Sequence, residues 1–153
     1  MTSLPNRLSL IEKLDEMTSQ NDSFALIFID LDSFKEINDS YGHSIGDHLL
    51  IKIAELMQTS ISRKIFISRT SGDEFGLICP MVNANKALLN KTLDQILKMF
   101  HYPIQVDKID IFATACMGVS IYPQTARTTT LLLQQADIDR KSTRLNSSHR
   151  IRY

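Results

Sequence analysis

The sequence contains no tryptophan, and only two of its 153 residues are cysteines. Both Cys79 and Cys116 lie in apolar runs typical of strands, so we expect buried thiols in a reducing compartment. No stretch approaches the roughly 20 apolar residues of a membrane-spanning helix, and no signal peptide opens the chain. These absences favour a soluble, cytoplasmic segment.

The chain also has no excess charge of either sign. Lys plus Arg and Asp plus Glu each number 17, which gives a formal net charge of zero. A nucleic-acid-binding domain usually carries a basic surplus, so no nucleic-acid partner is predicted. The length, with 43% hydrophobic residues, fits one domain with its own core.

Apolar periodicity predicts alternating helices and strands. The predicted helices lie near residues 8–17, 34–37, 45–56 and 89–100, with a last one beginning at 131–136. The predicted strands lie near residues 24–29, 64–69, 75–79, 102–106 and 109–122. The short polar turn at 70–74 joins two of these strands, which predicts an antiparallel hairpin. We therefore expect an α/β (α+β) sandwich with helices flanking a central mixed or antiparallel sheet.

Four carboxylates stand at element ends. Asp30 and Asp32 follow the buried strand, and Asp73 and Glu74 lie in the hairpin turn. If the strands are neighbours, these groups meet at one edge of the sheet, where Mg²⁺ can be shared between carboxylates and phosphates. Alternatively, Asp30 and Asp32 cap the next helix and Asp73 fills an ordinary turn. The pattern alone leaves both interpretations open.

Longer motifs resemble a known family. Residues 30–47 read D-L-D-S-F-K-E-I-N-D-S-Y-G-H-S-I-G-D, similar to the GGDEF-domain pattern D-x-D-x-F-K-x-I-N-D-x-x-G-H-x-x-G-D. Residues 69–75 read R-T-S-G-D-E-F, which resembles R-x-G-G-D-E-F. The resemblance spans about residues 2–138. It implies a fold like nucleotide cyclases and polymerase palms, and condensation of two GTP molecules to cyclic di-GMP and pyrophosphate.

The resemblance also implies roles for residues that match the motif. Asp30 through its carboxylate, Leu31 through its carbonyl and Asp73 would bind Mg²⁺ or Mn²⁺. Asp73 would also accept the proton of the attacking 3′-hydroxyl, assisted by Glu74. Lys35 would stabilise charge on the triphosphate. Without the motif, Lys35 is an ordinary solvated helix lysine.

Four further residues match substrate-binding positions: Asn38, His43, Asp47 and Gly72. A carboxylate at Asp47 suits the N1–H and N2–H donors of guanine, and the Asn38 amide suits its O6 acceptor. Outside the motif, Asn38 would be a turn residue and His43 a polar residue at a helix start.

The chain departs from the family pattern near the signature. Ser71 replaces the first glycine, which would cost roughly 1 kcal/mol if that residue needs positive φ. The R-x-x-D pair that binds product in many members falls on Ser62 and Ile65, so we expect no feedback site.

The two ends depart as well. The chain begins inside the family's opening pattern, which favours a piece of a larger protein. Residues 139–153 resemble a translated sequencing adapter, so we expect residues 1–138 to form a GGDEF-like domain with an incomplete last helix and residues 139–153 to be a non-native, disordered tail.

Two functions from different classes follow. In the first, the domain is a cyclase that acts as a homodimer on GTP, in a parent with a sensor or an EAL phosphodiesterase domain. In the second, it is a weakly active GTP-binding domain that regulates an attached EAL phosphodiesterase. Segments 102–104 and 121–123 resemble such composite proteins.

Overall fold

Helices cover both faces of a five-stranded sheet in the computed structural model, which describes residues 3–142 and 144–145. The helices are α1 (Arg7–Ser19), α2 (Phe34–Tyr41), α3 (His43–Ser60), α4 (Ala87–His101) and α5 (Thr129–Ser142), with a single 3₁₀ turn at Val82–Ala84. The strands are β1 (Phe24–Leu31), β2 (Phe66–Ser71), β3 (Glu74–Pro80), β4 (Ile104–Val106), β5 (Ile109–Ile111), β6 (Ala115–Tyr122) and β7 (Arg144–Leu145).

Strand β1 lies at the centre of the main sheet, whose order is β2-β3-β1-β6-β7. It pairs antiparallel with β3 on one side and with β6 on the other. The β2–β3 hairpin predicted from the turn at 70–74 is present. The predicted class, helices flanking an antiparallel sheet, is confirmed.

Two apolar cores lie on opposite faces of β1, because successive strand residues point to opposite sides. Ala25, Ile27 and Ile29 belong to the core that includes α3 and α4. Leu26 and Phe28 belong to the core formed with α1 and α5. The continuous apolar run of β1 therefore reflects burial on both faces.

The predicted strand at 109–122 is wrong as one element. It is divided into β5 and β6, and β5 pairs with β4 in a separate two-stranded ladder. Asp107 and Lys108 make the tight turn of this ladder with φ of 48° and 70°. Residues 112–114 then carry the chain from the ladder to the edge of β1, where the carbonyl of Thr114 accepts the N–H of Asp32. Periodicity missed the break because the apolar alternation continues across it.

Helix α5 is longer than expected. Leu132 and Ala136 are fully buried against the sheet, and the Asp139 carboxylate accepts the N–H of Val119 at 2.8 Å. The helix continues through Ser142, and Arg144–Leu145 pairs with β6 as β7, so the expected disorder is wrong for residues 139–142 and 144–145. Residues 143 and 146–153 of the predicted tail lie outside the described residues.

Candidate functional site

The predicted carboxylates meet at one edge of the sheet. Asp30 is the register partner of Glu74 across the β1–β3 ladder. The N–H of Leu31 donates to the carbonyl of Asp73 at 3.1 Å, so the end of β1 is held against the hairpin turn. The expectation that the strand end and the turn are neighbours is thereby confirmed.

The Asp30 carboxyl has a raised pKa, about 6 instead of 3.8. Burial disfavours its charged form, and the nearby Asp73 carboxylate adds like-charge repulsion and a hydrogen bond to the protonated form. Arg140 opposes these effects. The raised pKa therefore reflects a carboxyl group that is partly buried beside other acidic side chains.

Arg140 from α5 lies among these carboxylates. Its Nη1 donates to Asp30 Oδ2 at 2.8 Å, and its Nη2 donates to Asp137 Oδ1 at 2.6 Å. Its Nε lies 3.8 Å from Glu74 Oε2. The sequence reasoning missed this residue because it assigned position 140 to the tail. The spacing of Asp137 and Arg140, three residues apart on a helix, was the available signal.

The hairpin turn is held by its own side chains. Thr70 Oγ1 donates to Glu74 Oε1 at 2.5 Å, and Arg69 Nη2 donates to the carbonyl of Gly72 at 2.6 Å. Ser71 is not among the residues with positive φ, so the strain considered for it does not arise. A Cβ built on Gly72 meets no heavy atom within 4 Å. The turn therefore has open space beside it for a ligand.

The α2–α3 corner holds three other predicted residues. Asn38 Oδ1 is buried and has no hydrogen-bond partner among the residues that the structure describes, and it lies against Gly46, where any Cβ would collide with it. His43 and Asp47 are exposed on the first turn of α3. This oxygen is a buried acceptor, so it is not the donor that guanine O6 would require from Asn38.

Asp32 and Lys35 lie between β1 and the α2–α3 corner along the chain. Lys35 is exposed in the first turn of α2. Asp32 contacts Thr114 Oγ1, and the N-cap of α2 is Ser33 without a side-chain cap bond. The capping interpretation of Asp30 and Asp32 is therefore wrong.

The carboxylate edge (Asp30, Asp73 and Glu74) and the α2–α3 corner (Asn38, His43 and Asp47) form two separate clusters. Within the described part of the chain, Asp30 and Glu74 form ion pairs with Arg140 and not with residues of the α2–α3 corner. Among the same residues, no three His, Cys, Asp or Glu side chains surround one cation position. A magnesium ion that also binds substrate phosphates needs only one or two carboxylates, and Asp30 with Asp73 meets that requirement.

No helix in the described residues is both long and apolar enough to cross a membrane. The family model "Diguanylate cyclase, GGDEF domain" matches residues 1–149. Relatives in Pseudomonas aeruginosa include the bifunctional diguanylate cyclase/cyclic di-GMP phosphodiesterase MucR, 34% identical over 90% of this chain. The cyclic di-GMP phosphodiesterase NbdA is 32% identical over 90% of this chain. The chain spans 20% and 18% of the lengths of these two relatives.

The solved GGDEF domain of TpbB from the same organism superposes with a TM-score of 0.81 at 32% identity, covering 95% of this chain and 89% of that one. The antiparallel central sheet and the hairpin turn with its carboxylates are both consistent with the family match. The chain therefore belongs to the GGDEF domain family.

Proposed function

We propose that this domain binds GTP with Mg²⁺ or Mn²⁺ and that, in its whole protein, it condenses two GTP molecules to cyclic di-GMP and pyrophosphate in the cytoplasm. The observation that supports the proposal best is the meeting of Asp30, Asp73 and Glu74 at one sheet edge beside open space. The exposed side chains of His43 and Asp47 near the start of α3 support a base-binding corner nearby in sequence.

The reaction is two phosphoryl transfers. In each, the 3′-oxygen of one GTP forms a bond to the α-phosphorus of the other, the bond from that phosphorus to the bridging oxygen breaks, and pyrophosphate leaves. The 3′-hydroxyl gives up its proton, which Asp73 accepts with help from Glu74. Because each GTP is both attacked and attacking, two domains must face each other, which requires a homodimer.

The other residues bind and orient the substrate. Divalent ions at Asp30, the Leu31 carbonyl and Asp73 would neutralise phosphate charge as it develops. Lys35, at the start of α2, would contact the triphosphate, and the absence of a side chain at Gly72 leaves space for these phosphates. Asn38, His43 and Asp47 select and hold the guanine base.

The test is calorimetry with GTP, with added Mg²⁺ and with EDTA. We expect binding only with the metal, and a loss of at least about tenfold in affinity for Asp30→Asn, because a ligand to the ion loses its charge. Asp110→Asn, an exposed carboxylate on β5, is the matched control and should bind GTP as the unchanged chain does. GTP affinity that is the same in EDTA and in Asp30→Asn would contradict the proposal.

The second function, a GTP-binding regulator of an attached phosphodiesterase, is favoured by one specific observation. In this chain Arg140 pairs with Asp30 and lies near Glu74, which would weaken the metal site that turnover needs. The relative NbdA is itself named a phosphodiesterase. A domain that binds GTP with metal but forms no cyclic di-GMP at any protein concentration would support this second function.

A further inference from the structure

The side chain of Arg140 is a fixed cation inside the carboxylate edge. Only 15% of the side chain is exposed, and it contacts three carboxylates, of which Asp30 at 2.8 Å and Asp137 at 2.6 Å accept hydrogen bonds. Glu74 lies slightly farther away, at 3.8 Å. A guanidinium does not lose its proton in proteins, so this positive charge is present at every working pH.

The backbone of α5 keeps this cation in place. Ala136 is fully buried one turn before Arg140, and Asp139 binds the N–H of Val119 on the neighbouring strand. A Cβ on Gly118 would collide with the backbone of Arg140, so helix and strand are in close contact at this point. The packing of α5 against β6 therefore holds the guanidinium of Arg140 in a fixed position beside Asp30.

We propose that Arg140 is a built-in competitor of the divalent cation, because it engages the same Asp30 carboxylate that the metal needs. The inference rests on the proposed metal role of Asp30. Nη1 of Arg140 donates one hydrogen bond to Asp30 Oδ2, and its positive charge repels a second cation at close range. In this chain, metal binding requires that the guanidinium leave Asp30, so the affinity for the free ion is low.

The test measures binding of Mn²⁺ alone, by electron paramagnetic resonance of the free ion, without nucleotide. Arg140→Met keeps the aliphatic stem and removes the charge. We expect it to bind Mn²⁺ at least about tenfold more tightly, because an adjacent cation lowers the proton affinity of a carboxylate by about one to three powers of ten and opposes a divalent cation by the same electrostatic repulsion. Arg140→Lys should stay closer to the unchanged chain because it retains a cation.

Lys141→Met is the matched control. Lys141 lies on the same helix and carries the same charge, but it is 66% exposed and pairs only with Asp137, at 3.4 Å, among the ion pairs of the described residues. Its loss should change the Mn²⁺ affinity by less than about twofold, since exposed pairs contribute little. A gain in Lys141→Met equal to that in Arg140→Met would mean that net charge, and not the contact with Asp30, sets the affinity, which would overturn the inference.

Thermal unfolding gives a second measurement, which separates competition for the metal from a general loss of stability. In EDTA, Arg140→Met should unfold at a lower temperature than the unchanged chain, because Asp30 and Glu74 lose their counter-charge. With saturating Mn²⁺ its midpoint should rise by more than that of the unchanged chain, as tighter binding to the folded state requires. If Arg140→Met does not fold in EDTA, Arg140→Gln, which keeps hydrogen-bonding capacity, is measured instead.

The two proposals fail in different ways. If Asp30→Asn abolishes Mn²⁺ binding while Arg140→Met binds no more tightly than the unchanged chain, the competitor role is wrong and the metal site stands. Weaker binding in Arg140→Met would likewise overturn it. If Asp30→Asn leaves Mn²⁺ binding unchanged, the metal role of Asp30 is wrong and both proposals fall.

Discussion

Replacement of Gly118 by alanine tests the contact between β6 and α5. An alanine Cβ at this position would lie 2.7 Å from the Cα of Arg140 and still closer to the Ala136 carbonyl oxygen and the Arg140 nitrogen. Non-bonded carbon atoms rest about 3.5–4.0 Å apart. All three obstacles are backbone atoms, so no side-chain rotation relieves them, and α5 must retreat from the sheet by about 1 Å.

That retreat loosens the packing of Leu132 and Ala136, both fully buried in the core beside α1. Overpacking of this kind costs about 1–3 kcal/mol, and the better strand propensity of alanine offsets roughly 0.5 kcal/mol of it. We expect Gly118→Ala to lower the free energy of unfolding by about 0.5–2.5 kcal/mol. With an m-value of about 2 kcal/mol/M for a domain of this size, the urea midpoint falls by roughly 0.25–1.25 M.

The assay is urea unfolding followed by far-ultraviolet circular dichroism. Gly72→Ala is the control, because a Cβ there meets no atom within 4 Å, and its stability should stay within about 0.5 kcal/mol of the unchanged chain. If Gly118→Ala is as stable as Gly72→Ala, the helix does not lie against β6 as described, and the position of Arg140 loses its support.

Three further outcomes follow from the described residues. Asp47→Ala should lose most of the preference for GTP over ATP in competition with labelled GTP, and equal competition by ATP in the unchanged domain would contradict the assigned base contacts. At pH 8, Ellman's reagent should react with one thiol in the folded chain, because burial raises the pKa of Cys79 to about 11 while Cys116 is partly exposed. Two thiols that react at the same rate would refute this. Added cyclic di-GMP should inhibit turnover only by competing with GTP, since Ile65 at the feedback position is buried, and non-competitive inhibition in steady-state kinetics would reveal a feedback site.

Local patterns predicted the parts of the fold that depend on local rules. The run at 24–29 identified a strand buried on both faces, and the polar turn before Phe75 identified the hairpin, because periodicity and turn chemistry act over a few residues. The same reasoning placed Asp30 beside Glu74 once the two strands were taken as neighbours.

Longer-range features were not accessible in this way. The break after Ile111 depends on which strand β6 joins, and alternation within the segment carries no information about that partner. Arg140 was missed because its role arises from a contact 110 positions away along the chain, with Asp30. The metal and substrate roles of the predicted residues stay predictions, and so does the non-native origin of residues 139–153.

The position of β1 has a consequence for how variants of this domain behave. Since both faces of the strand are buried in different cores, a slip of one residue would exchange Ile27 and Leu26 between two environments with different shapes. The apolar side chains of β1 thus fix the register of the strand, and with it the position of Asp30 opposite Glu74. Substitutions deep in either core should therefore displace Asp30 from Glu74, and weaken the metal site proposed there, before they prevent folding.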